Sequence, residues 1–288
     1  MSITAFNQAN YVRRKVFSLI MDMLCTFAAL VGLMFLALIL FELIRKGVPG
    51  LSANLFTHTM MTPGQNGGLA NAIVGTLMQT SLGILVGAPL GMAVGVYLAE
   101  VGRSGRFAST VRFVNDILLS APSVLVGLFV YQIVVVPMGT FSGFAGSIAL
   151  ALLSMPVIAR TTEDIIKLVP DSYREGSTAL GARSSVTILR VVVPAAFGGI
   201  LTGILLAVAR IAGETAPLIF TSLGSFAMST DMGRPMASLP IAIYRYASSP
   251  YEEWTNLAWA GALIITVGVL LLNIVSRFSL YLVSRGKR

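Results

Sequence analysis

Arg210 and Glu214 are the residues with the most chemistry to offer, because both interrupt a long apolar run and they lie four positions apart. A charge at the centre of a bilayer costs about 2.5–3.5 kcal/mol on insertion scales, so each needs a partner or a water-filled cavity. On a continuous helix the spacing predicts that both share one face and neutralise each other. Two readings follow. The pair fixes helix packing, or it lines a pathway in which the planar guanidinium holds two oxygens of an oxyanion while Glu214 positions it and keeps the anion from binding too tightly. Arg160, at the inner end of another apolar run, reads as an interfacial anchor or as a second anion contact nearer the inside.

Other chemistries lack their reagents. Cys25 and His58 are the only cysteine and histidine, so a cysteine-built or histidine-built metal site and most histidine-based catalysis are excluded. No carboxylate pair and no Ser-His dyad falls within the apolar runs. No G-x-x-x-x-G-K-[ST] occurs, so the chain carries no phosphate-cradling loop for ATP and is expected to be no enzyme and to bind no cofactor.

A second constellation lies between residues 160 and 194. Pro170 followed by Asp171 and Ser172 is a helix-start signal. Glu175, Gly176 and Ser177 place an acid before two small residues. Gly181 follows six places after the acid, and Pro194 thirteen places further on. Gly181 can take a positive φ and turn the chain. A short helix, a tight turn and a second helical piece predict a compact knob for a groove on a soluble partner. An ordinary basic loop with a glycine turn is the plainer reading.

The elements that must position these residues follow from composition. Hydrophobic residues make up 56% of the 288-residue chain and charged residues 11%, with a mean hydropathy of +0.84. Disorder is excluded, and a soluble globule would lack the charge to cover its surface. Six apolar stretches reach about 18 residues or more. They run from about Phe17 to Ile44, Ala70 to Leu98, Phe113 to Val136, Phe141 to Ala159, Ala195 to Thr221 and Leu257 to Val283. Lipid satisfies no backbone polar group, so each is expected to be a helix. The first run is too long for a cleaved signal segment, and no small-x-small cleavage site follows it.

With the N-terminus inside, the inner segments hold fifteen of the twenty Lys and Arg residues and the outer segments four. This inside bias sets the orientation, with both termini cytoplasmic, and explains the net charge of +8 without nucleic acid. The expected organisation is a tail over 1–16, a six-span domain over 17–283 with an inner loop over 160–194, and a tail over 284–288. Gly83, Gly87, Gly91 and Gly95 recur every four residues in the second span, a spacing that lets another helix approach closely. That neighbour is within the subunit or in a sister subunit. The hydroxyls of Thr221, Ser222, Ser225, Ser229 and Thr230 beside Arg234 either solvate an outer loop or guide an anion inward. Asp116 reads as a polar cap at the inner face, and Cys25 as a small core residue.

The 175–194 spacing resembles the EAA loop of importer-type ABC permeases, with two of its three letters replaced by other small residues. From about Gly67 onward the chain is similar to the A-type permease subunit of phosphate ABC importers. The likeness rests on Gly67-Gly68-Leu69-Ala70-Asn71-Ala72-Ile73, Tyr97-Leu98-Ala99-Glu100, Met236-Ala237-Ser238-Leu239-Pro240 and Ala247-Ser248-Ser249-Pro250. Above all it rests on Arg210-Ile211-Ala212-Gly213-Glu214-Thr215-Ala216-Pro217-Leu218. The resemblance implies an all-α, six-helix importer permease in a bacterial inner membrane. It implies a sister phosphate permease, two copies of an ATPase that performs the hydrolysis, and a periplasmic phosphate-binding protein. Glu175, Gly176, Ser177, Gly181 and Pro194 would then meet the ATPase, and Arg210, Glu214 and Arg160 the substrate. An importer of another oxyanion (sulfate, molybdate or phosphonate) is the alternative. A membrane-embedded enzyme and a passive channel fit less well, the one for want of catalytic groups and the other because of the coupling loop.

Overall fold

A computed structural model describes residues 8–103 and 105–285. Thirteen helices follow one another in this part of the chain, and no strand forms among the described residues. The first is α1, Gln8–Gly47. The short α2, Ala53–Thr57, precedes α3, Ala70–Val96, which ends in a wide π-turn over Tyr97–Val101. Next come α4, Arg106–Ser120, α5, Ser123–Val130, and α6, Val136–Met138. The central α7 is Gly143–Lys167, followed by α8, Asp171–Ala179, and α9, Ser184–Thr187. Then come α10, Val193–Ala212, α11, Ala216–Thr221, α12, Leu239–Ala247, and α13, Glu252–Arg285.

Five helical stretches are long and apolar enough to cross a bilayer, and a bent pair makes a sixth crossing when its two arms are counted as one broken span rather than a re-entrant loop. That pair corrects the expected straight span over Phe113–Val136. Helix α4 and the helical stretch Ser123–Met138, which α5 begins, meet at 104°, because Ala121 (ψ 137°) and Pro122 (ψ 131°) are extended. A proline drives the residue before it out of helical geometry and brings no N–H of its own. The expected span Ala195–Thr221 is corrected too. Helix α10 stops at Ala212, and α11 resumes only at Ala216. Gly213 weakens the helix, and the Pro217 ring would meet the Gly213 carbonyl if the helix continued.

Helix α7 sits at the centre. In its most apolar window 72% of the residues are buried, against none in α1. Its inward positions are small (Ala145, Gly146, Ala149, Ala151, Ser154 and Ala159 are all buried), which lets neighbours approach. Gly83, Gly87, Gly91 and Gly95 of α3 face this surface. A methyl group at Gly91 would fall 2.7 Å from the Met155 carbonyl, and one at Gly95 2.6 Å from that of Ala159. Two backbones in contact at four successive turns make α3 and α7 one unit. The neighbour of the glycines is thus a helix of the same chain.

Several boundaries differ from expectation. Helix α7 runs on through Lys167, so residues 160–167 belong to a span and the inner loop begins at Leu168. Helix α1 starts at Gln8, so half of the expected tail over 1–16 is helical. Cys25 is exposed on α1 rather than part of a core. Residues 1–7 and 286–288, with Lys287 and Arg288, lie outside the described residues.

Candidate anion pathway and coupling helix

The depth of Arg210 is read from its neighbours on α7. Thr161 packs on Gly203 and Ile165 on Gly199. Val157 clusters with Ala207, and Leu153 with Ile211. Helices α7 and α10 are therefore antiparallel, and Arg210 stands level with Ser154, close to half-way along α7. The break at Gly213–Thr215 thus occurs at mid-membrane depth. The Ala121–Pro122 break is comparably deep, since the Asn115 amide, six residues earlier on α4, donates to the Pro156 carbonyl at 3.2 Å. Irregular backbone at that depth persists only where it is buried in protein or lines a cavity.

The break corrects the expected geometry of Arg210 and Glu214. They do not share a helix face, because Glu214 lies beyond the end of α10. The Arg210 Nε to Glu214 Oε1 distance is 3.9 Å, an ion pair without a hydrogen bond. The Arg210 side chain is 41% exposed, and among the described residues its guanidinium donates no hydrogen bond. An exposed pair this long contributes at most about 1 kcal/mol, while the donor fork remains free for a ligand.

Arg160 lies about 9 Å further toward the C-terminal end of α7, six residues of helix rise from the level of Arg210. Two carboxylates flank it: Asp164 at 3.2 Å, one turn along α7, and Asp116 of α4 at 3.8 Å. Asp116 therefore pairs with a cation rather than only capping α4. In the outer loop Thr221 and Ser222 are buried and donate to the Pro217 and Met236 carbonyls. They brace the loop and offer nothing to a passing anion. Arg234 pairs with Asp231 at 3.2 Å.

Beyond the C-terminal end of α7, α8 is the short helix signalled by Pro170 and Asp171. Its C-terminus closes with the Ala182 N–H donating to the Ser177 carbonyl and the Gly181 N–H to that of Thr178, while Gly181 takes φ +79°. This left-handed closure satisfies the final carbonyls of the helix. Glu175 and Gly176 are exposed, and Ser177 is half-buried with its hydroxyl 2.9 Å from that of Thr187 on α9. Leu180, 91% exposed, and Tyr173 border a depression of ≈440 Å³ that also touches Gly176, Ser177 and Val191. Pro194 stands in the first turn of α10. Glu175, Gly176, Ser177 and Gly181 are thus brought together on one knob, and Pro194 begins the helix that leads away from it.

Two buried carboxylates escaped the reading from sequence. Glu163, 1% exposed, accepts from Arg112 Nε at 2.7 Å and from Lys167 Nζ at 2.6 Å. Arg112 also donates to the Leu98 carbonyl at 2.8 Å, tying the ends of α3, α4 and α7 together. Glu100 pairs with Arg174 of α8, Nη2 to Oε1, at 2.6 Å. The Glu100 carboxylate raises the Arg174 pKa above its ordinary value, against the pull of burial. The four-residue spacing of Glu163 and Lys167 was a visible signal. Arg112 and Glu163, 51 positions apart, and Arg174 and Glu100, 74 apart, gave none.

The family model described as binding-protein-dependent transport system inner membrane component matches residues 87–288. A Haemophilus influenzae protein named phosphate transport system permease protein PstA is 50% identical over 264 residues, covering 92% of this chain and 94% of the relative. The Yersinia pestis protein of the same name is 56% identical over 251 residues, 86% and 84% of the two chains. A Methanocaldococcus jannaschii protein named as a probable PstA permease is 40% identical over 84% of this chain and 86% of its own length. Among solved structures, an inward-facing MetNI methionine ABC transporter shares the fold. The TM-score is 0.56 at 20% identity, over 75% of this chain and 92% of that one.

Proposed function

Since the chain belongs to the binding-protein-dependent transport system inner membrane component family, we propose that it is the permease subunit of an ATP-driven inorganic phosphate importer. The observation that carries this reading is Arg210. It is an arginine with an open donor fork, beside a helix break at mid-membrane depth, in a chain about half identical to phosphate permeases. A member of this family is a transport-system component, and we assign ATP hydrolysis to a separate subunit.

Phosphate enters from a periplasmic binding protein and meets Arg210, whose planar fork holds two of its oxygens. Glu214, at 3.9 Å, repels the bound anion and keeps its residence short. The anion then passes inward to Arg160, where Asp116 and Asp164 compete for the same guanidinium and favour release. Arg210, Arg160 and Asp116 are each more than 40% exposed at the depth of the spans. Lipid is a poor neighbour for such groups, so this face turns toward a sister phosphate permease across a wet pathway. Two copies of a separate ATPase hydrolyse ATP and grip the α8 knob of each permease from the cytoplasm. The chain itself holds no cofactor, and both termini are cytoplasmic in a bacterial inner membrane.

The test is labelled phosphate uptake in cells lacking this chain, complemented with wild type or with the Arg210→Met, Glu214→Leu double variant. Wild type restores uptake that collapses on ATP depletion and resists competition by sulfate, molybdate and phosphonate. The double variant assembles with its partners and does not transport. Near-normal uptake per assembled complex in the double variant refutes a direct role for Arg210. Competition by another oxyanion at equal concentration refutes phosphate as the substrate.

A further inference from the structure

Glu100 closes the Tyr97-Leu98-Ala99-Glu100 stretch, to which the importer reading gives no task. It sits on the wide turn at the inner end of α3, 7% exposed, against an Arg174 that is 14% exposed. All five N–H groups of Arg174 are engaged. Nε donates to both Glu100 oxygens at 3.1 and 3.2 Å, and Nη2 to Glu100 at 2.6 Å and to the Ile166 carbonyl at 3.2 Å. Nη1 donates to the Val169 carbonyl at 2.7 Å and to Asp171 at 3.1 Å. One side chain of α8 thus grips the inner ends of both α3 and α7.

Helix α8 buries no residue of its own, so apolar packing does not hold it to the bundle. Its attachment is polar and concentrated at Arg174, with the Ser177–Thr187 contact about one turn further along the same face. A charge-assisted, forked pair is short and directional, and it resists both stretching and rotation. Helices α3 and α7 are locked along the glycine seam, and α7 packs on α10, which carries Arg210. A continuous load path runs from the exposed knob to the mid-membrane arginine.

We propose that the Arg174–Glu100 pair is the joint through which α8 drives the transmembrane bundle, delivering a displacement of the knob to the inner ends of α3 and α7 together. The proposal rests on the importer reading, and both residues act as positioning residues rather than substrate contacts. The experiment uses the whole complex in proteoliposomes, with wild type, Glu100→Gln and Arg174→Lys. ATP hydrolysis and phosphate uptake are measured per assembled complex. Glu100→Gln keeps the shape and loses the charge, while Arg174→Lys keeps the charge and loses the fork. Both are expected to hydrolyse ATP at more than half the wild-type rate and to import at least five-fold less phosphate per ATP. A wild-type ratio in both variants overturns the joint, as does a loss of assembly with a normal ratio in the complexes that remain.

A second arm needs neither phosphate nor the variants. Spin labels at Val101→Cys and Thr178→Cys, in a Cys25→Ala background, report the spacing of α3 and α8. One unchanged distance with and without ATP is the expected result, and a distance that changes with ATP overturns the joint. Wild-type proteoliposomes that take up no phosphate, together with a fixed distance in the labelled protein, refute the substrate assignment and leave the joint standing.

Discussion

Replacing Gly91 by alanine tests the seam on which the bundle is built. The added methyl would lie 2.7 Å from the Met155 carbonyl oxygen and 2.9 Å from Ile158 Cβ, whereas ordinary contact begins near 3.4 Å. The deficit is about 0.7 Å at a backbone atom, which has no rotamer to escape into. Helices α3 and α7 must move apart, and the two neighbouring glycine contacts loosen with them. Overpacking of this kind costs about 1–3 kcal/mol, which lowers the ratio of folded to unfolded molecules about 5- to 150-fold. Gly83→Ala is the internal standard, because its nearest neighbours are Leu150 Cβ at 3.0 Å and the Ser147 carbonyl at 3.2 Å. Gly176→Ala is the blank, since nothing lies within 4 Å of the added group. The assay is thermal aggregation of the purified complex in mild detergent. The expected order of melting temperature is wild type equal to Gly176→Ala, then Gly83→Ala, then Gly91→Ala. A Gly91→Ala complex that melts with wild type, or above Gly83→Ala, would falsify the packing argument.

Glu163→Gln leaves Arg112 and Lys167 without a counter-charge at the inner ends of α4 and α7. It is expected to cost about 2 kcal/mol, read as a lower yield of assembled complex and a lower melting temperature, with the transport ratio of surviving complexes unchanged. Gly181→Val places a β-branched residue at φ +79°, where such side chains are outliers. Membrane insertion should persist while ATP-driven uptake is lost, and normal uptake would remove Gly181 from the coupling role. Arg210→Lys keeps the charge and loses the fork, so uptake should fall at least ten-fold with assembly intact; equal rates would show that charge alone suffices.

The parts legible in the sequence are those that composition and short spacings control. Apolar length marked the crossings, and the four-residue glycine repeat marked a face for close approach. Pro170, Asp171 and Gly181 bracketed α8, since capping and turn chemistry are local. The breaks at Ala121–Pro122 and Gly213–Thr215 were hidden because hydropathy weighs side chains and does not register backbone geometry. Pro122 and Pro217 stood in the runs all the while, and each warned of a broken helix. That oversight placed Glu214 on a helix face it does not occupy. The Arg112–Glu163 and Arg174–Glu100 pairs join segments whose meeting depends on the packing of α3, α4 and α7. No local rule connects residues 51 or 74 positions apart.

The basic residues of this chain separate by what already occupies their donors. Counted by topology alone, Arg112, Arg160, Lys167 and Arg174 are equivalent members of an inner positive excess. In the fold, Arg174 spends all five N–H groups on one carboxylate pair and two carbonyls. Arg112 and Lys167 converge on one buried carboxylate. A cation so engaged gains little from a passing anion, because binding would first break short, charge-assisted hydrogen bonds. Arg160 is held less firmly, and among the described residues the one carboxylate paired with Arg210 is Glu214, at 3.9 Å. Among Arg112, Arg160, Arg174 and Arg210, donor availability is greatest at Arg210, beside the break after α10. Within that set the difference separates arginines that hold helices together from the one the proposed pathway assigns to the anion, a distinction that net charge and span counting leave unmade.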